Sequence, residues 1–496
     1  MSKLYIDFMN EITKEKLYEG LLAHGLFSDK LPPFLSSQEF YEYCKKLEQP
    51  FQDKEQQYIY YESMRNINFP RPLGIPNPMA YQKLCECLSK NWERIQDYFK
   101  TKTEKQSYKV SRIHIRNLSK TRKLFEMNYD NWVSDGSPEL DLLIGKRYVV
   151  KADISNCFPS IYTHSLPWAL VGKSNSKTNR GKSEWFNEID YYVQRMKNGE
   201  THGLIIGPHT SNLLSEIILC SIDSKLSKWD YIRNIDDFTC YVETYDKAQE
   251  FLIELNEELR SFDLVLNHKK TEIMELPVEG TAKWIHKLSS ISLLLRDGKL
   301  DYKGAIMYLD LAIDLMKSNK MNSAILNYAI KVLGSFELTS NAKEYCLKTI
   351  FHWTLIYPYL VPILDENVFR VFSANTYQIA KFSQEIFKFG LKNRNYESVS
   401  YAIYFAIKYK FDLNDIDVTN AIESNHCIYK LLTYIYFTEK HDKESIKLLK
   451  KHAKELNSND DDFNRNWLFV YEVLSFGLLK GDWKPMKKKG ISFINI

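Results

Sequence analysis

The sequence predicts an α+β protein whose mixed middle region is followed by an all-helical C-terminal region. Three observations lead there. Gly (18) and Pro (15) are scarce among 496 residues, which suits helices joined by few tight turns. Two apolar runs, 147–154 and 231–242, read as strands. From about residue 300 the apolar residues recur at steps of three and four.

Taken in order, residues 1–100 read as mostly helical, punctuated by Pro32-Pro33 and by a proline-rich connector over 70–78. Tyr108–Leu118 alternates, with Ile113 and Ile115 on one face and Arg112, His114 and Arg116 on the other, the period of a strand. Arg147–Ile154 is β-branched and ends in a polar cluster, and Tyr231–Val242 reads as two short strands about a turn. Beyond 300, Ile306, Leu309, Ile313 and Met316 share a helix face, as do Ile379, Phe382 and Ile386. Gly390 reads as a C-terminal helix cap. The expected division is a mostly helical N-terminal region over 1–145, a sheet-bearing region over 146–290, and an irregular array of helix pairs, or alternatively a compact helical bundle, over 291–496.

Composition excludes several classes. At 44% hydrophobic and 26% charged, the chain can bury a sizeable core and is not globally disordered. The formal charge is +4, so any basic surface must be local. It is local in two places. Nine Lys or Arg lie between Lys100 and Lys123 against one acid, Glu104, and Lys173, Lys177, Arg180 and Lys182 form a run without acids. No apolar stretch approaches a membrane span of roughly 20 residues. The first residues lack a signal peptide's apolar run, and the eight cysteines form no Cys-x-x-Cys pair. The expectation is a cytoplasmic protein with reduced thiols and no membrane partner.

Chemistry concentrates in carboxylates. In a strand over 149–154, Val150, Ala152 and Ile154 share the buried face and Asp153 ends the run. An acid there is costly unless paired or metal-bound. Asp236-Asp237 sits at the tip of the second strand pair, 83 residues after Asp153. Three carboxylates converging on one sheet would suit two Mg²⁺ ions, with Mn²⁺ as a substitute, since such ions take hard oxygen ligands.

These motifs resemble a reverse-transcriptase palm and fingers over about 70–275. Asp153 stands in the first palm motif and Asp236-Asp237 in the Tyr-x-Asp-Asp position. Leu264–Thr271 is similar to the Asn-x-x-Lys-Thr motif that follows, and Arg65, Arg71 and Ile75-Pro76 resemble the start of the fingers in retron and group II intron enzymes. The runs 161–168 and 172–180 further resemble the phage abortive-infection polymerases, a branch with a helical C-terminal domain. Departures accompany the match. Asn234 stands where the hairpin Tyr usually sits, Pro208-His209-Thr210-Ser211 replaces Pro-Gln-Gly-Ser, and no thumb motif follows Lys270.

The resemblance implies catalytic Asp153, Asp236, Asp237 and Lys270, with the three carboxylates as metal ligands. It implies nucleotide contacts from Phe158 (an aromatic gate against a 2′-OH), Arg112, Arg116 and Ser211. The implied function is an antiphage, template-independent, protein-primed DNA polymerase in the bacterial cytoplasm. It would use dNTPs, attach single-stranded DNA to one of its own Tyr, and act as a homo-oligomer. Tyr5, Tyr18, Tyr58, Tyr60 and Tyr61 are the expected priming candidates on the reach of a chain terminus. Trp353, Trp467 and Trp483 are candidates for stacking bases. The alternatives are a template-dependent retron-type enzyme and a relic nucleic-acid-binding scaffold.

Overall fold

Three short helices, α1 (Tyr5–Asn10), α2 (Lys14–Leu22) and α3 (Gln38–Cys44), open the computed structural model, which describes residues 4–65, 69–112, 114–115, 124–126, 138–278, 283–290, 295–296 and 298–496. Helices α1 and α2 pack on α4 (Pro78–Lys90) and α5 (Trp92–Thr103), and α3 packs on α2, with Tyr5, Leu17, Leu21 and Phe40 buried. Trp92 Nε1 donates to Ile12 O at 2.6 Å. The N-terminus is therefore docked by its apolar side chains, and it lacks the reach expected of a free terminus.

Between α3 and α4 the chain makes an antiparallel hairpin, β1 (Ile59–Met64) and β2 (Pro70–Ile75). The expected proline-rich connector is thus a strand. Its prolines are tolerated because their parity matches Gly74, whose N–H points away from β1 to Ile206 O at 2.9 Å. The N–H groups missing at Pro70 and Pro72 belong to that outer edge. Within the expected strand over 108–118, the described residues His114–Ile115 (β3) pair with Phe125–Glu126 (β4). Ser111 instead bridges Arg233, and Ile113 and Arg116 lie outside the described residues.

After α6 (Pro138–Leu142) comes the main sheet, antiparallel in the order β6 (Tyr231–Asn234), β7 (Asp237–Val242), β5 (Tyr148–Asp153), β8 (Glu272–Glu275). Between β5 and β6 run α7 (Cys157–Ser160), α8 (Ser165–Val171), α9 (Lys173–Thr178), α10 (Trp185–Arg195) and α11 (His209–Lys225). Helix α12 (Tyr245–Arg260) covers β5 and β7. Val150, Ala152, Phe238, Cys240, Phe251 and Leu255 fill the interface and are all buried. A layer of this size, with apolar area worth about 25 cal/mol per Å², holds the sheet flat against its helices and leaves the strand ends open for chemistry.

Beyond α13 (Lys283–Ser289) and the pair β9 (Leu295–Arg296) and β10 (Lys299–Leu300), the chain is helical. The helices are α14 (Tyr302–Ser318), α15 (Ser323–Leu333), α16 (Ser340–Ile356), α17 (Thr376–Lys392), α18 (Tyr396–Tyr409), α19 (Val418–Glu423), α20 (Cys427–Glu439), α21 (Lys443–Leu456), α22 (Asp460–Arg465), α23 (Trp467–Val473) and α24 (Trp483–Lys488). Their polar breaks are caps: Asp301, Asn322, Thr339, Asn375, Asn395, Asp417, Asp442 and Asn459 each accept a backbone N–H of the next helix, worth about 1 kcal/mol apiece. Gly390 lies inside α17 and caps nothing. A Cβ there would meet Val399 Cγ2 at 2.8 Å, so the glycine lets α17 and α18 approach closely.

The helical region is fastened to the N-terminal one. Helices α18, α20 and α22 pack on β1, and Glu397 accepts the Met64 N–H at 2.7 Å. The last residues return to pair with 34–36, through Ser36 N to Phe493 O at 2.9 Å and Asn495 N to Phe34 O at 2.8 Å. Phe493 is buried between Phe40, Trp467 and Tyr471. Trp353, Trp467 and Trp483 are core residues, with Trp467 stacked on Trp483 at 5.6 Å, so the expectation that they stack bases is corrected. No helix among the described residues is long and apolar enough to cross a membrane.

Candidate active site

Antiparallel register brings two of the three carboxylates together. Asp153 at the end of β5 is the cross-strand partner of Asp237 at the start of β7, a spacing that puts Cβ atoms about 5 Å apart. Asp236 occupies the turn between β6 and β7, and its carbonyl accepts the Ile154 N–H at 3.1 Å. Sequence spacing could not join residues 83 apart; the β5–β7 ladder does.

Asp153 is 4% exposed, and both its oxygens are engaged. Oδ1 accepts Asn267 Nδ2 at 2.9 Å and Oδ2 accepts Lys270 Nζ at 2.6 Å. The Asn-x-x-Lys-Thr stretch supplies both donors from one turn, closed by Lys270 N and Thr271 N on Asn267 O and anchored by Asn267 N on Asp153 O at 2.7 Å. The contact with Asp153 raises the Lys270 ammonium pKa, so it stays charged.

The other two carboxylates carry the signature of crowded negative charge. Loss of water pushes Asp236 up, with the charge of Asp153 adding to it and Lys270 and Arg71 opposing. Asp237 is pushed up to about 7, by loss of water first, then by the hydrogen bond it shares with Asp153 and the charges of Asp236 and Asp153. Like charges held together disfavour ionisation unless a cation joins them. Among the described residues, no group of three His, Cys, Asp or Glu side chains forms a ready-made cage. The donor set nevertheless fits a hard divalent cation: three carboxylates at one sheet end with a lysine already neutralising one of them. Asp153, Asp236 and Asp237 are the residues that would hold it.

What sequence reasoning missed lies beneath the hairpin. Arg233 is 0% exposed. Its guanidinium meets Asp223 at 2.5–3.1 Å and Glu216 at 3.1–3.3 Å, and its Nη1 donates to Ile235 O at 2.8 Å. Ile235 has φ 57°, a left-handed conformation that costs a β-branched residue about 1–3 kcal/mol. Arg233 ties down the carbonyl of that residue, directly before Asp236. A signal exists in the sequence: Glu216 and Asp223 are the two acids of their helix and stand seven apart, hence on one face.

The remaining expected site residues divide. Phe158 is the second residue of α7, half-buried against the core, with its carbonyl accepting Leu204 N at 2.8 Å. Arg112 lies 4.0 Å from Glu139, and its backbone N–H donates to Arg233 O at 2.7 Å. Ser211 is buried and its hydroxyl donates to Ile205 O at 2.6 Å, so it fixes the turn before α11, and the nucleotide contact expected of it is corrected. His209 is likewise buried, edge-on to Phe125 at 5.6 Å.

Residues 71–306 match the family described as reverse transcriptase (RNA-dependent DNA polymerase). These residues make up a reverse-transcriptase domain, which indicates a reverse-transcriptase-like nucleotidyltransferase; polymerases with this domain generally use divalent metal ions. Similar solved structures include apo telomerase from Candida tropicalis (12% identity, 71% of this chain and 70% of that chain, TM-score 0.34). The same telomerase truncated from its C-terminal domain gives 13% identity, 46% and 51% coverage and TM-score 0.29. Telomerase from the same organism with a TWJ fragment of telomeric RNA gives 12% identity, 83% and 66% coverage and TM-score 0.30. No curated protein matches the chain.

Proposed function

We propose that the protein is an abortive-infection DNA polymerase, building single-stranded DNA without a template from a tyrosine hydroxyl of its own. The carrying observation is the fastening of the C-terminal helices to the fingers hairpin, through Glu397 and the packing of α18, α20 and α22 on β1. A copying enzyme needs fingers and thumb that part around a primer–template duplex. Here the hairpin's buried face is taken by helices of the same chain, which favours a single strand.

In this reading, Asp153, Asp236 and Asp237 would hold two Mg²⁺ ions. Bound there, the ions supply a lowered pKa for the attacking hydroxyl and charge neutralisation for the leaving group. The hydroxyl oxygen forms a bond to the α-phosphorus of a dNTP, the α–β bridging bond breaks, and pyrophosphate leaves. Lys270 and Arg71 are the cations beside the carboxylates, placed to meet the triphosphate. Phe158 packs under the sugar and excludes a 2′-OH. The enzyme works as a homo-oligomer in the bacterial cytoplasm, as an antiphage device.

Among the five tyrosines considered, Tyr5 and Tyr61 are buried, Tyr18 and Tyr58 half-buried, and Tyr60 is 46% exposed; Tyr60 is the favoured primer. The test is a template-free reaction with labelled dNTP, followed by denaturing electrophoresis and mass mapping of the labelled peptide. Label should migrate with the denatured chain and be released by nuclease. Label found wholly as free oligonucleotide rejects self-priming and favours the retron-type alternative.

A further inference from the structure

Outside the carboxylate cluster, a cavity of about 430 Å³ opens between α8, α9 and α10, within the range of ligand sites. Its floor is a dyad: His164 Nδ1 lies 2.5 Å from Asp190 Oδ2, and Gln194 Nε2 donates to Asp190 Oδ1 at 2.8 Å. Asp190 is 6% exposed, so both its oxygens are committed. The Asp190 contact at Nδ1 leaves His164 Nε2 as the nitrogen available to the cavity.

One wall is aromatic. Tyr162 stands edge-on to His164 at 4.8 Å and to Trp168 at 5.9 Å. The same cavity is lined by three cations, Lys177, Arg180 and Lys182. The end of α9 and the loop after it, which bear them, are held in place: Asn187 Nδ2 donates to Asn179 O at 2.8 Å and Gly181 O at 2.9 Å, and Arg180 Nε donates to Lys177 O at 2.9 Å. Among the described residues, none of the three cations has a carboxylate partner, and Lys182 lies over the Tyr191 ring at 5.0 Å. The cavity's one carboxylate, Asp190, is already spent on His164 and Gln194.

Cations without carboxylate partners and flat rings lining one groove are what a polynucleotide strand requires: charge for its phosphates and rings on which its bases stack. The segment bearing Tyr162 and His164 leads directly from Asp153 and Phe158. It is laced to residues 201–204 by Thr163 N to Thr201 O and Gly203 N to Ile161 O, both at 2.8 Å.

We infer that this cavity is a second nucleic-acid site, which holds single-stranded DNA by its backbone on Lys177, Arg180 and Lys182 and by its bases on Tyr162 and Trp168. The inference deepens the proposed polymerase and rests on that reading for the source of the strand, though binding itself does not need synthesis.

The experiment measures binding of fluorescent oligo-dT to the full chain in EDTA, where no nucleotide is added, across a salt series. The triple variant Lys177→Gln, Arg180→Gln, Lys182→Gln should bind at least tenfold more weakly. Its log–log salt slope should fall by about 2, since each phosphate contact on a single strand contributes about 0.7. Trp168→Ala should weaken oligo-dT but leave an abasic oligomer unaffected. Asp236→Ala should bind as the parent does while failing to incorporate nucleotide, which separates this site from the catalytic one. If the triple variant, with its melting temperature unchanged, keeps parental affinity and slope, the inference is wrong. If dTTP competes as well as oligo-dT at equal phosphate, the site is for free nucleotide and the strand assignment falls. Photocrosslinking of 5-iodo-dU oligomer should label Tyr162 or Trp168; crosslinks confined to other regions would also overturn it.

Discussion

Replacing Arg233 by Met separates what this residue does for folding from what it does for the active site. The guanidinium is wholly buried and neutralises Asp223 and Glu216 while binding Ile235 O. Breaking a buried pair from one side typically costs about 3–5 kcal/mol, because a charge is left without a partner. Here two carboxylates are left. Against a total stability of about 5–15 kcal/mol, Arg233→Met should shift the urea midpoint strongly downward by intrinsic fluorescence. A second variant, Arg233→Met with Glu216→Leu and Asp223→Leu, removes all the charges at once and should recover most of that loss. It does not restore the donor to Ile235 O, so the Asp236 turn relaxes from its left-handed conformation. Misplacement of a reacting group by about 1 Å costs about 10²-fold in rate, and nucleotide incorporation should fall by at least tenfold in this refolded variant. Parental incorporation by the triple variant would show that Arg233 serves the core alone.

Lys270→Ala should lower incorporation at least tenfold and raise the apparent KM for dNTP, with Lys270→Arg intermediate, in steady-state kinetics, since the ammonium sits 2.6 Å from Asp153. Phe158→Ala should admit ribonucleotides when single-nucleotide addition is compared for dNTP and rNTP; unchanged discrimination would return Phe158 to a packing role. Glu397 is buried and its carboxyl is pushed up to about 8, chiefly by loss of water. The folded state therefore holds a proton that the unfolded chain has released. Stability from this group is full below about pH 4.3 and is lost as pH rises through about 8, at about 1.4 kcal/mol per pH unit inside that window. Glu397→Gln should flatten the dependence of melting temperature on pH between 5 and 8; an unaltered slope would contradict it.

Much of this arrangement is legible in the amino-acid sequence. The β5 strand shows through the alternation Val150, Ala152, Ile154, and the hairpin through apolar flanks around Asp236-Asp237, because sheet faces impose a period of two. Capping residues and three-four spacing mark the C-terminal helices. Other features are hidden by physics that sequence does not display. Pro70 and Pro72 disguise β2 because strand prolines are admissible where the edge needs no N–H, which only the register reveals. The tryptophans look available for stacking, yet Trp467 and Trp483 pack on each other and on Phe493 or Tyr471. Tyr5, close to the chain start, lies against Phe99 at 5.6 Å. Ser211 matches a motif position, and its hydroxyl is consumed by a backbone carbonyl 6 residues earlier. The Arg233 network escapes a linear reading because its three charges, on β6 and α11, meet only after folding.

The central claim is that Asp153, Asp236 and Asp237 form a nucleotidyl-transfer site that works without added template or primer. The most direct measurement incubates purified protein with Mg²⁺ and labelled dNTPs, without template or primer, beside Asp236→Ala of equal melting temperature. The account predicts labelled product with the parent protein, none when EDTA is added, and none with Asp236→Ala. Equal incorporation by parent and Asp236→Ala, or incorporation that appears only when a template and primer are supplied, would contradict it.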